Sequence, residues 1–319
     1  MKVLITDYNF PSVDIERKII EDFGAELYES NGSQSVLSLA KNCDALITQY
    51  YRIDSDFINS LEKCKIIVTY GIGTNAIDIK AASERKIIVS NVPDYGIQEV
   101  SDHALSFLLA HYRKLFSLDH NMRKGSWGYK SVVPIKRLSE CTLGVIGFGR
   151  IAQLFVTKAK AFQFKEILVH DPYVPEAIIV QYGAKPTDLD NITINSDYIS
   201  LHAPLNDETM HMIDENRFSK MKPNAFIINV GRGSLIDEKA LIKALDLGWI
   251  AGAGLDVFED EPLAINSPLL KIRNVILSPH SAWYSEQALS DLQVMAAEEV
   301  VRVLSGEKPR SAVNLNMIS

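Results

Sequence analysis

Residues 144–152 read Gly144-Val-Ile-Gly147-Phe-Gly149-Arg-Ile-Ala152, between an apolar run that begins at Thr142 and a helical pattern that extends to Phe162. Gly147 permits a tight turn, Gly149 lets the backbone approach a pyrophosphate, and Ala152 is small enough for close packing of helix on strand. Free N–H groups at the start of the helix would face the anion. The stretch therefore predicts a dinucleotide-binding turn, with an ordinary glycine turn before a helix as the alternative.

An acidic residue follows the next apolar run. That run, Glu166–His170, ends directly before Asp171. Dinucleotide-binding folds place the carboxylate that holds the adenosine ribose about 20 residues after the glycine turn, and Asp171 lies close to that spacing. Its charge would repel the 2′-phosphate of NADP, and no arginine stands beside it to receive that phosphate. The sequence predicts NAD as the cofactor, with an ordinary Asp-Pro turn as the alternative.

The composition is that of a globular protein without a broad basic surface. The chain has 319 residues, of which 47% are hydrophobic, enough for two domains with filled cores. It has 33 lysines and arginines against 40 acidic residues, a formal net charge of −7. Nucleic acid and anionic lipid are therefore not expected as direct partners. No apolar run reaches the roughly 18 residues that would predict a membrane span.

The three cysteines, Cys43, Cys64 and Cys141, stand apart and lack metal-ligand spacing. An odd number of isolated thiols suits a reducing compartment better than a disulfide framework. The first residues, Met1–Asp7, have the pattern of a short strand that reaches a polar turn and not that of a targeting segment. We therefore expect a cytoplasmic protein with no metal site.

Short apolar runs alternate with amphipathic stretches in the first hundred residues, which predicts a parallel sheet. The runs are Val3–Thr6, Ala45–Thr48, Ile66–Thr69 and Ile87–Val89, and the amphipathic stretches are Val13–Phe23, Val36–Lys41 and Phe57–Leu61. A second series of six runs predicts the dinucleotide-binding sheet. Its members are Gly144–Ile146, Ile167–His170, Tyr198–Leu201, Phe226–Val230, Ala253–Val257 and Val275–Leu277. Two long helical stretches, Ile97–Met122 and Ser285–Leu304, flank the second series and predict bridges between two domains.

Three polar residues follow strands of the second series, the place where ligands bind in open α/β sheets. Arg232 lies in a glycine-flanked loop, where a guanidinium can hold a carboxylate through two parallel hydrogen bonds. Glu261 lies in an acidic turn, and His280 follows a proline. A surface salt bridge, a solvated turn and a structural histidine are the respective alternatives.

The chain resembles the NAD-dependent D-isomer-specific 2-hydroxyacid dehydrogenase family over essentially its whole length. The motifs that carry the resemblance are Val145-Ile-Gly-Phe-Gly-Arg-Ile, His170-Asp-Pro-Tyr, Pro204-Leu-Asn-Asp-Glu-Thr209, Asn229-Val-Gly-Arg-Gly-Ser-Leu-Ile-Asp237, Gly254-Leu-Asp-Val-Phe-Glu259 with Glu261-Pro262, and Ser278-Pro-His280. Three further stretches are most similar to the C-terminal-binding-protein-like branch, namely Tyr70-Gly-Ile-Gly, Asn91-Val-Pro-Asp-Tyr-Gly96 and His280-Ser-Ala-Trp-Tyr-Ser-Glu-Gln-Ala288. That branch includes dehydrogenases and transcriptional corepressors that bind NAD(H).

The resemblance implies that Arg232, Glu261 and His280 are the catalytic residues. In the reduction of a 2-oxo acid, hydride reaches the carbonyl carbon and a proton must reach the carbonyl oxygen. His280 would supply this proton, and Glu261 would fix the tautomer of the ring and favour the imidazolium. Arg232 would hold the substrate carboxylate and polarise the carbonyl.

The resemblance also assigns cofactor and substrate contacts. The expected cofactor-binding residues are Gly147, Gly149, Arg150, Ile151, Asp171, Ala203, Val230 and Asp256, with Asp256 reaching the nicotinamide amide. The expected substrate-binding residues are Gly71, Ile72, Gly73, Arg232 and Trp283. The two glycines could instead form only a turn, and Trp283 could serve in packing.

The chain departs from the corepressors at one position. Thr69 stands where the corepressors place an arginine, just before the glycine loop, and Tyr70 follows it. A second cationic contact with the substrate is then missing or comes from another residue, for which Arg52 is a candidate. The preferred acid can therefore differ from theirs.

We predict an α/β protein with two domains. A Rossmann dinucleotide-binding domain over residues 99–283 would be inserted into a smaller flavodoxin-like parallel-sheet substrate domain, made of residues 1–98 and 284–319, with a cleft between the two. The predicted function is hydride transfer between NAD(H) and a small 2-oxo or D-2-hydroxy acid. The alternative is an NAD(H)-sensing binding or corepressor-type protein with little turnover. The resemblance also implies a homodimer formed through the nucleotide domain.

Overall fold

The computed structural model describes residues 1–30 and 35–318. The chain divides into two compact units. The first unit contains Met1–Gly96 and the chain from Tyr284 onward, and the second contains Ile97–Trp283.

The first unit is built on a parallel sheet of five strands in the order β2-β1-β3-β4-β5. The strands are β1 (Lys2–Ile5), β2 (Glu26–Glu29), β3 (Ala45–Thr48), β4 (Ile66–Thr69) and β5 (Ile88–Ser90), and the first four helices are α1 (Asp14–Asp22), α2 (Val36–Ala40), α3 (Ser55–Ser60) and α4 (Ile79–Glu84). This strand order is that of flavodoxin-like folds. Strand β2 was not among the predicted runs, because Glu-Leu-Tyr-Glu contains no apolar run.

The second unit is built on a parallel sheet of seven strands in the order β12-β11-β10-β9-β6-β7-β8. The strands are β6 (Thr142–Ile146), β7 (Glu166–His170), β8 (Lys185–Pro186), β9 (Tyr198–Leu201), β10 (Phe226–Asn229), β11 (Gly252–Leu255) and β12 (Val275–Leu277). All six predicted strands are present, and β8 is additional. It is a two-residue edge strand that ends in proline, too short to give a sequence signal.

The helices of the second unit are α5 (Ile97–Tyr112), α6 (Leu115–Arg123), α7 (Arg150–Ala159), α8 (Glu176–Gln181), α9 (Leu189–Asn195), α10 (Glu215–Lys220) and α11 (Glu238–Asp246). The last helix of the chain, α12 (Glu286–Leu304), lies in the first unit and packs against α1 and strands β3 and β4. The α/β fold with two parallel sheets agrees with the predicted fold class. No helix within residues 1–30 and 35–318 is long and apolar enough to span a membrane.

The prediction of one continuous helix over Ile97–Met122 was wrong. The chain leaves the helix after Tyr112, and Lys114 has a φ of 55°, in the left-handed region that ends helices. The first segment, α5, buries Ala104, Phe107 and other side chains, whereas α6 buries none. An apolar pattern continued across the break, although only α5 packs on the core.

Alternate residues of the second sheet supply two apolar clusters. Val145 and Ile228 belong to one cluster, and their neighbours Ile146 and Ile227 belong to the other. Both faces of the sheet are therefore covered, as is usual for parallel sheets. The strand order reverses at β6, which has β7 on one side and β9 on the other. Ligands of such sheets bind at this point, beyond the carboxyl ends of the strands.

Candidate active site

The glycine turn lies between β6 and α7, beside the reversal of strand order. Gly147 has a φ of 85°, and a Cβ at this position would lie 2.5 Å from the backbone N of Ala203. Gly149 is the N-cap of α7, and no side chain caps that helix end. A Cβ on Gly149 would meet nothing within 4 Å. The turn thus keeps open space in front of uncapped N–H groups, which is what a pyrophosphate requires.

Asp171 follows β7 and binds the backbone of two loops. Its Oδ2 accepts a hydrogen bond from Phe148 N at 2.7 Å, within the glycine turn. Its Oδ1 accepts from Tyr173 N at 2.9 Å and from Val174 N at 3.2 Å. A carboxylate has about four acceptor positions, so Asp171 can still accept a hydrogen bond from a ribose hydroxyl.

The loop after β10 carries Arg232. Asn229 folds this loop, because its Nδ2 donates to Arg232 O at 2.8 Å and its Oδ1 accepts from Gly231 N at 3.1 Å. The Arg232 Nη1 donates to Gly231 O at 2.7 Å. At Gly233 a Cβ would lie 1.8 Å from the backbone carbon of Phe258. A glycine after Arg232 is therefore needed for this loop to pack against the segment that leads to Glu261.

Glu261 and His280 form a hydrogen-bonded pair. Glu261 Oε2 lies 2.6 Å from His280 Nδ1, and Oε1 accepts from Phe258 N at 3.0 Å. Burial is the largest single effect and would raise the pKa of Glu261, but the lowering contributions together outweigh it, led by the hydrogen bond and charge of His280, so the pKa is lowered. The Phe258 N–H and the charge of Arg232 act in the same direction.

An ionised Glu261 fixes the orientation of the imidazole. Because a carboxylate only accepts hydrogen bonds, Nδ1 of His280 carries a proton. Nε2 has no hydrogen-bond partner in the described parts of the chain, and 31% of the His280 side chain is exposed. The ring can therefore offer Nε2 to a ligand.

The backbone of His280 is held in an unusual conformation. Its φ is 51°, in the left-handed region that costs a non-glycine residue about 1–2 kcal/mol. His280 N donates to Asp256 O at 2.7 Å. The buried Asp256 carboxylate accepts from Ser281 N and Ala282 N, each at 2.9 Å, and from Ser278 Oγ at 2.5 Å. One aspartate thus fixes the whole loop that carries the histidine, a role that sequence reasoning did not assign to Asp256.

Two further residues hold the same loop. Trp283 Nε1 donates to His280 O at 3.0 Å, and its ring packs against the core of the second unit. His103, on α5, places Nε2 2.8 Å from Ser278 Oγ. Since the Ser278 hydroxyl donates its proton to Asp256, His103 must be the donor of this hydrogen bond. Sequence reasoning missed His103, whose only signal is a polar residue directly before the buried Ala104.

The remaining residues assigned to the cofactor lie at the ends of the same strands and of the glycine turn. Arg150 is exposed and Ile151 half-buried at the start of α7. Ala203 is buried two residues after β9, and Val230 is buried directly after β10. Within the second unit Glu261 is hydrogen-bonded to His280, and the charge of Arg232 also lowers the pKa of Glu261.

In the first unit, Tyr70 and then a loop of three residues, Gly71–Gly73, follow β4. Gly71 has a φ of 126°. The carbonyl oxygens of this loop bind the protein, with Val92 N donating to Gly71 O at 2.9 Å, Asn91 Nδ2 to Ile72 O at 2.8 Å and Thr69 Oγ1 to Gly73 O at 3.4 Å. The N–H groups of the three residues donate to no other part of the described chain. The loop is thus a candidate anion cradle.

Comparison with known proteins identifies the relatives of the chain. Residues 105–282 match the family described as D-isomer specific 2-hydroxyacid dehydrogenase, NAD binding domain. A glyoxylate reductase of Korarchaeum cryptofilum is 37% identical over 309 residues, which cover 94% of this chain and 92% of the relative. A D-3-phosphoglycerate dehydrogenase of Methanocaldococcus jannaschii is also 37% identical, over 99% of this chain but only 60% of the relative.

Solved structures show the same fold. A D-lactate dehydrogenase from Aquifex aeolicus, in complex with NAD and lactic acid, superposes with a TM-score of 0.87 and 28% sequence identity. The match covers 96% of each chain. A D-lactate dehydrogenase with NAD+ from Lactobacillus jensenii gives a TM-score of 0.78 at 28% identity, over 98% of this chain and 99% of that one.

Proposed function

Because the chain belongs to the D-isomer specific 2-hydroxyacid dehydrogenase family, we propose that it reduces glyoxylate and similarly small 2-oxo acids with NADH. The general activity is that of the family, hydride transfer between NAD(H) and a 2-oxo or D-2-hydroxy acid. Glyoxylate is proposed because glyoxylate reductases recur among the relatives, in Thermococcus litoralis and Pyrococcus furiosus as well. The observation that carries the proposal is the hydrogen-bonded Glu261–His280 pair, with the charge of Arg232 acting on the same carboxylate.

The proposed chemistry needs a proton donor at the carbonyl oxygen. NADH supplies the hydride when it is bound. His280 gives its Nε2 proton to the oxygen on which charge develops, and ionised Glu261 stabilises the imidazolium beforehand. Arg232 holds the carboxylate of the acid and withdraws charge from its carbonyl. The Asp256 carboxylate keeps the histidine loop in place throughout.

The cofactor is NAD, and we assign its contacts to the residues around the glycine turn. Gly149 leaves space for the pyrophosphate before α7, and Arg150 and Ile151 follow directly. Asp171 keeps acceptor positions for the ribose hydroxyls, and its charge disfavours a 2′-phosphate. Gly147 permits the turn itself. Ala203, Val230 and Asp256 are the remaining residues that we assign to cofactor binding.

We assign substrate contacts in the same way. The N–H groups of Gly71, Ile72 and Gly73 bind a carboxylate, and Trp283 borders the reacting group. We also propose that the chain is a dehydrogenase close to the C-terminal-binding-protein-like branch. The motifs that begin at Tyr70, Asn91 and His280 support this position. We further assign nucleotide binding to the second unit and substrate selection to the first.

We also propose two properties of the whole protein. The exposed aromatic side chains between α6 and β6 suit a homodimer formed through the second unit. A cytoplasmic location is supported by three free cysteines, of which Cys43 and Cys141 are buried as thiols.

The experiment that tests the function is an NADH-oxidation screen. Glyoxylate, pyruvate, hydroxypyruvate and branched 2-oxo acids are compared at equal concentration, with NADH binding followed separately by fluorescence. We expect the highest kcat/KM for glyoxylate or another two- or three-carbon acid. Tight NADH binding with no turnover of any acid would contradict the proposal and favour an NAD(H)-sensing protein.

A further inference from the structure

A buried tyrosine precedes the Gly71–Gly73 loop. Tyr70 is 6% exposed, and its N–H donates to Thr48 O at 2.7 Å. Its ring meets that of Phe10 edge-on, with the centroids 5.1 Å apart. Its hydroxyl donates to Glu16 Oε1 at 2.6 Å. Both the backbone and the side chain of Tyr70 are therefore fixed directly before the loop.

Glu16, on α1, is fully buried and takes no part in the proposed chemistry. Its second oxygen accepts from Gln293 Nε2 at 2.9 Å, and that amide also donates to Ser12 O at 2.8 Å. Glu16 forms no ion pair with any lysine or arginine of the described chain. Burial raises its pKa, against the hydrogen bonds of Tyr70 and Gln293. Burying a carboxylic acid without a counter-charge lowers the stability of the fold. A functional role of Glu16 would account for this cost.

We propose that Tyr70 and Glu16 are positioning residues, whose buried hydrogen bond holds the loop with its N–H groups available to the carboxylate of the substrate. This inference rests on the proposed function, in which the loop receives that carboxylate. Neither residue needs to touch the substrate. Their effect is on the orientation of the peptide units that follow Tyr70.

The planarity of the peptide unit supports this role. In a trans peptide the C=O of one residue and the N–H of the next point in opposite directions. Because Gly71 O binds Val92 N, the N–H of Ile72 points away from Val92. Because Ile72 O binds Asn91 Nδ2, the N–H of Gly73 likewise points away from Asn91. A rotation at Tyr70 would disturb these orientations.

The side chain of Tyr70 controls such a rotation. Burial and the neighbouring Glu16 raise the pKa of Tyr70 well above its usual value, so the phenol remains a donor at physiological pH. Tyr70→Phe would leave Glu16 Oε1 buried without this donor, and the ring would lose the hydrogen bond that fixes its position. Gly71 could then relax from its φ of 126°, a conformation that only glycine adopts readily.

The first test is kinetic. Tyr70→Phe should raise the KM for glyoxylate about tenfold, as expected for one buried hydrogen bond, with kcat and the NADH Kd changed less than about twofold. Tyr8→Phe is the matched control, because Tyr8 donates to Glu29 at 2.7 Å in the same unit but lies outside the loop. Glu16→Gln keeps an acceptor for the Tyr70 hydroxyl, so its KM for glyoxylate should stay close to that of the wild type.

A double-mutant cycle tests the partnership between the two residues. Glu16→Leu should raise KM, and combining it with Tyr70→Phe should add little, since both changes remove the same hydrogen bond. Additive effects would mean that the residues act separately and would overturn the proposal. Thermal unfolding identifies any variant that fails to fold.

Hydrogen exchange provides a readout that needs no turnover. The amide of Tyr70, directly before the loop, donates to Thr48 O, and the amide of Val92 donates to Gly71 O within it. The exchange of both amides should accelerate in Tyr70→Phe but not in Tyr8→Phe. Unchanged exchange and unchanged KM in Tyr70→Phe would overturn the inference. If the wild type reduces no 2-oxo acid, the proposed function fails, and exchange alone then decides whether Tyr70 holds the loop.

Discussion

At the scale of single residues, the proposed chemistry depends on one ring nitrogen. His280 directs Nδ1 to Glu261, so Nε2 is the nitrogen that can give a proton to the substrate. We expect His280→Gln to lower kcat/KM for glyoxylate by about 10²- to 10⁴-fold, the usual contribution of a general acid, without changing the NADH Kd. The control is His211→Gln, which removes a histidine paired with Glu259 at 2.9 Å. Equal turnover in both variants would disprove the assignment of His280.

The choice of NADH over NADPH is also predicted to depend on one residue. The Asp171 carboxylate should repel the 2′-phosphate of NADPH, so the wild type should prefer NADH in kcat/KM. Asp171→Asn removes the charge but keeps one acceptor oxygen for the backbone N–H groups around it. The preference for NADH over NADPH should fall about tenfold or more, since close charge pairs contribute 1 kcal/mol or more. Steady-state kinetics with both cofactors measure this ratio, and an unchanged ratio would place the selectivity elsewhere.

At the scale of elements, strands with apolar runs were predictable, including the edge strands β5 and β12, and strands without such runs were not. Strands β6, β9 and β10 are buried on both faces, so each appears in the sequence as a predominantly apolar run. Strand β2 has charged ends, and β8 is only two residues long, so neither gives a run. The break at Lys114 left no signal either, because it depends on one backbone conformation and not on glycine or proline.

The candidate site was predictable in part for a related reason. Residues such as Arg232 and His280 follow strand ends, and parallel strands place their carboxyl ends at one edge. The contacts of Asp256 and His103 depend on which helix packs against which loop, and sequence spacing does not contain that information. The same holds for Tyr70 and Glu16, which lie far apart in the chain and meet only after folding.

The contact between α5 and the histidine loop leads to a prediction at this scale. His103→Leu removes the donor to Ser278 and should lower the free energy of unfolding by about 1–2 kcal/mol. It should also reduce kcat, because the loop that carries His280 loses one of its attachments. His103→Gln, which keeps an N–H donor, should behave more like the wild type. Urea unfolding and steady-state kinetics measure both effects; a Leu variant with wild-type values would show that the contact is dispensable.

For the whole molecule, the exposed apolar side chains lead to a prediction about association between copies of the chain. Trp127 is 87% exposed and Tyr129 is 70% exposed, and the preceding helix α6 buries no side chain. Aromatic side chains are enriched at protein interfaces, and a two-fold dimer is the commonest arrangement. We therefore expect a dimer by light scattering coupled to size exclusion, and a shift towards monomer in the double variant Trp127→Ser/Tyr129→Ser. Ile265→Ser, which changes a 97% exposed side chain outside this segment, should remain dimeric. A monomeric wild type, or a double variant that stays dimeric, would refute this interface, because the segment would then contribute no association energy.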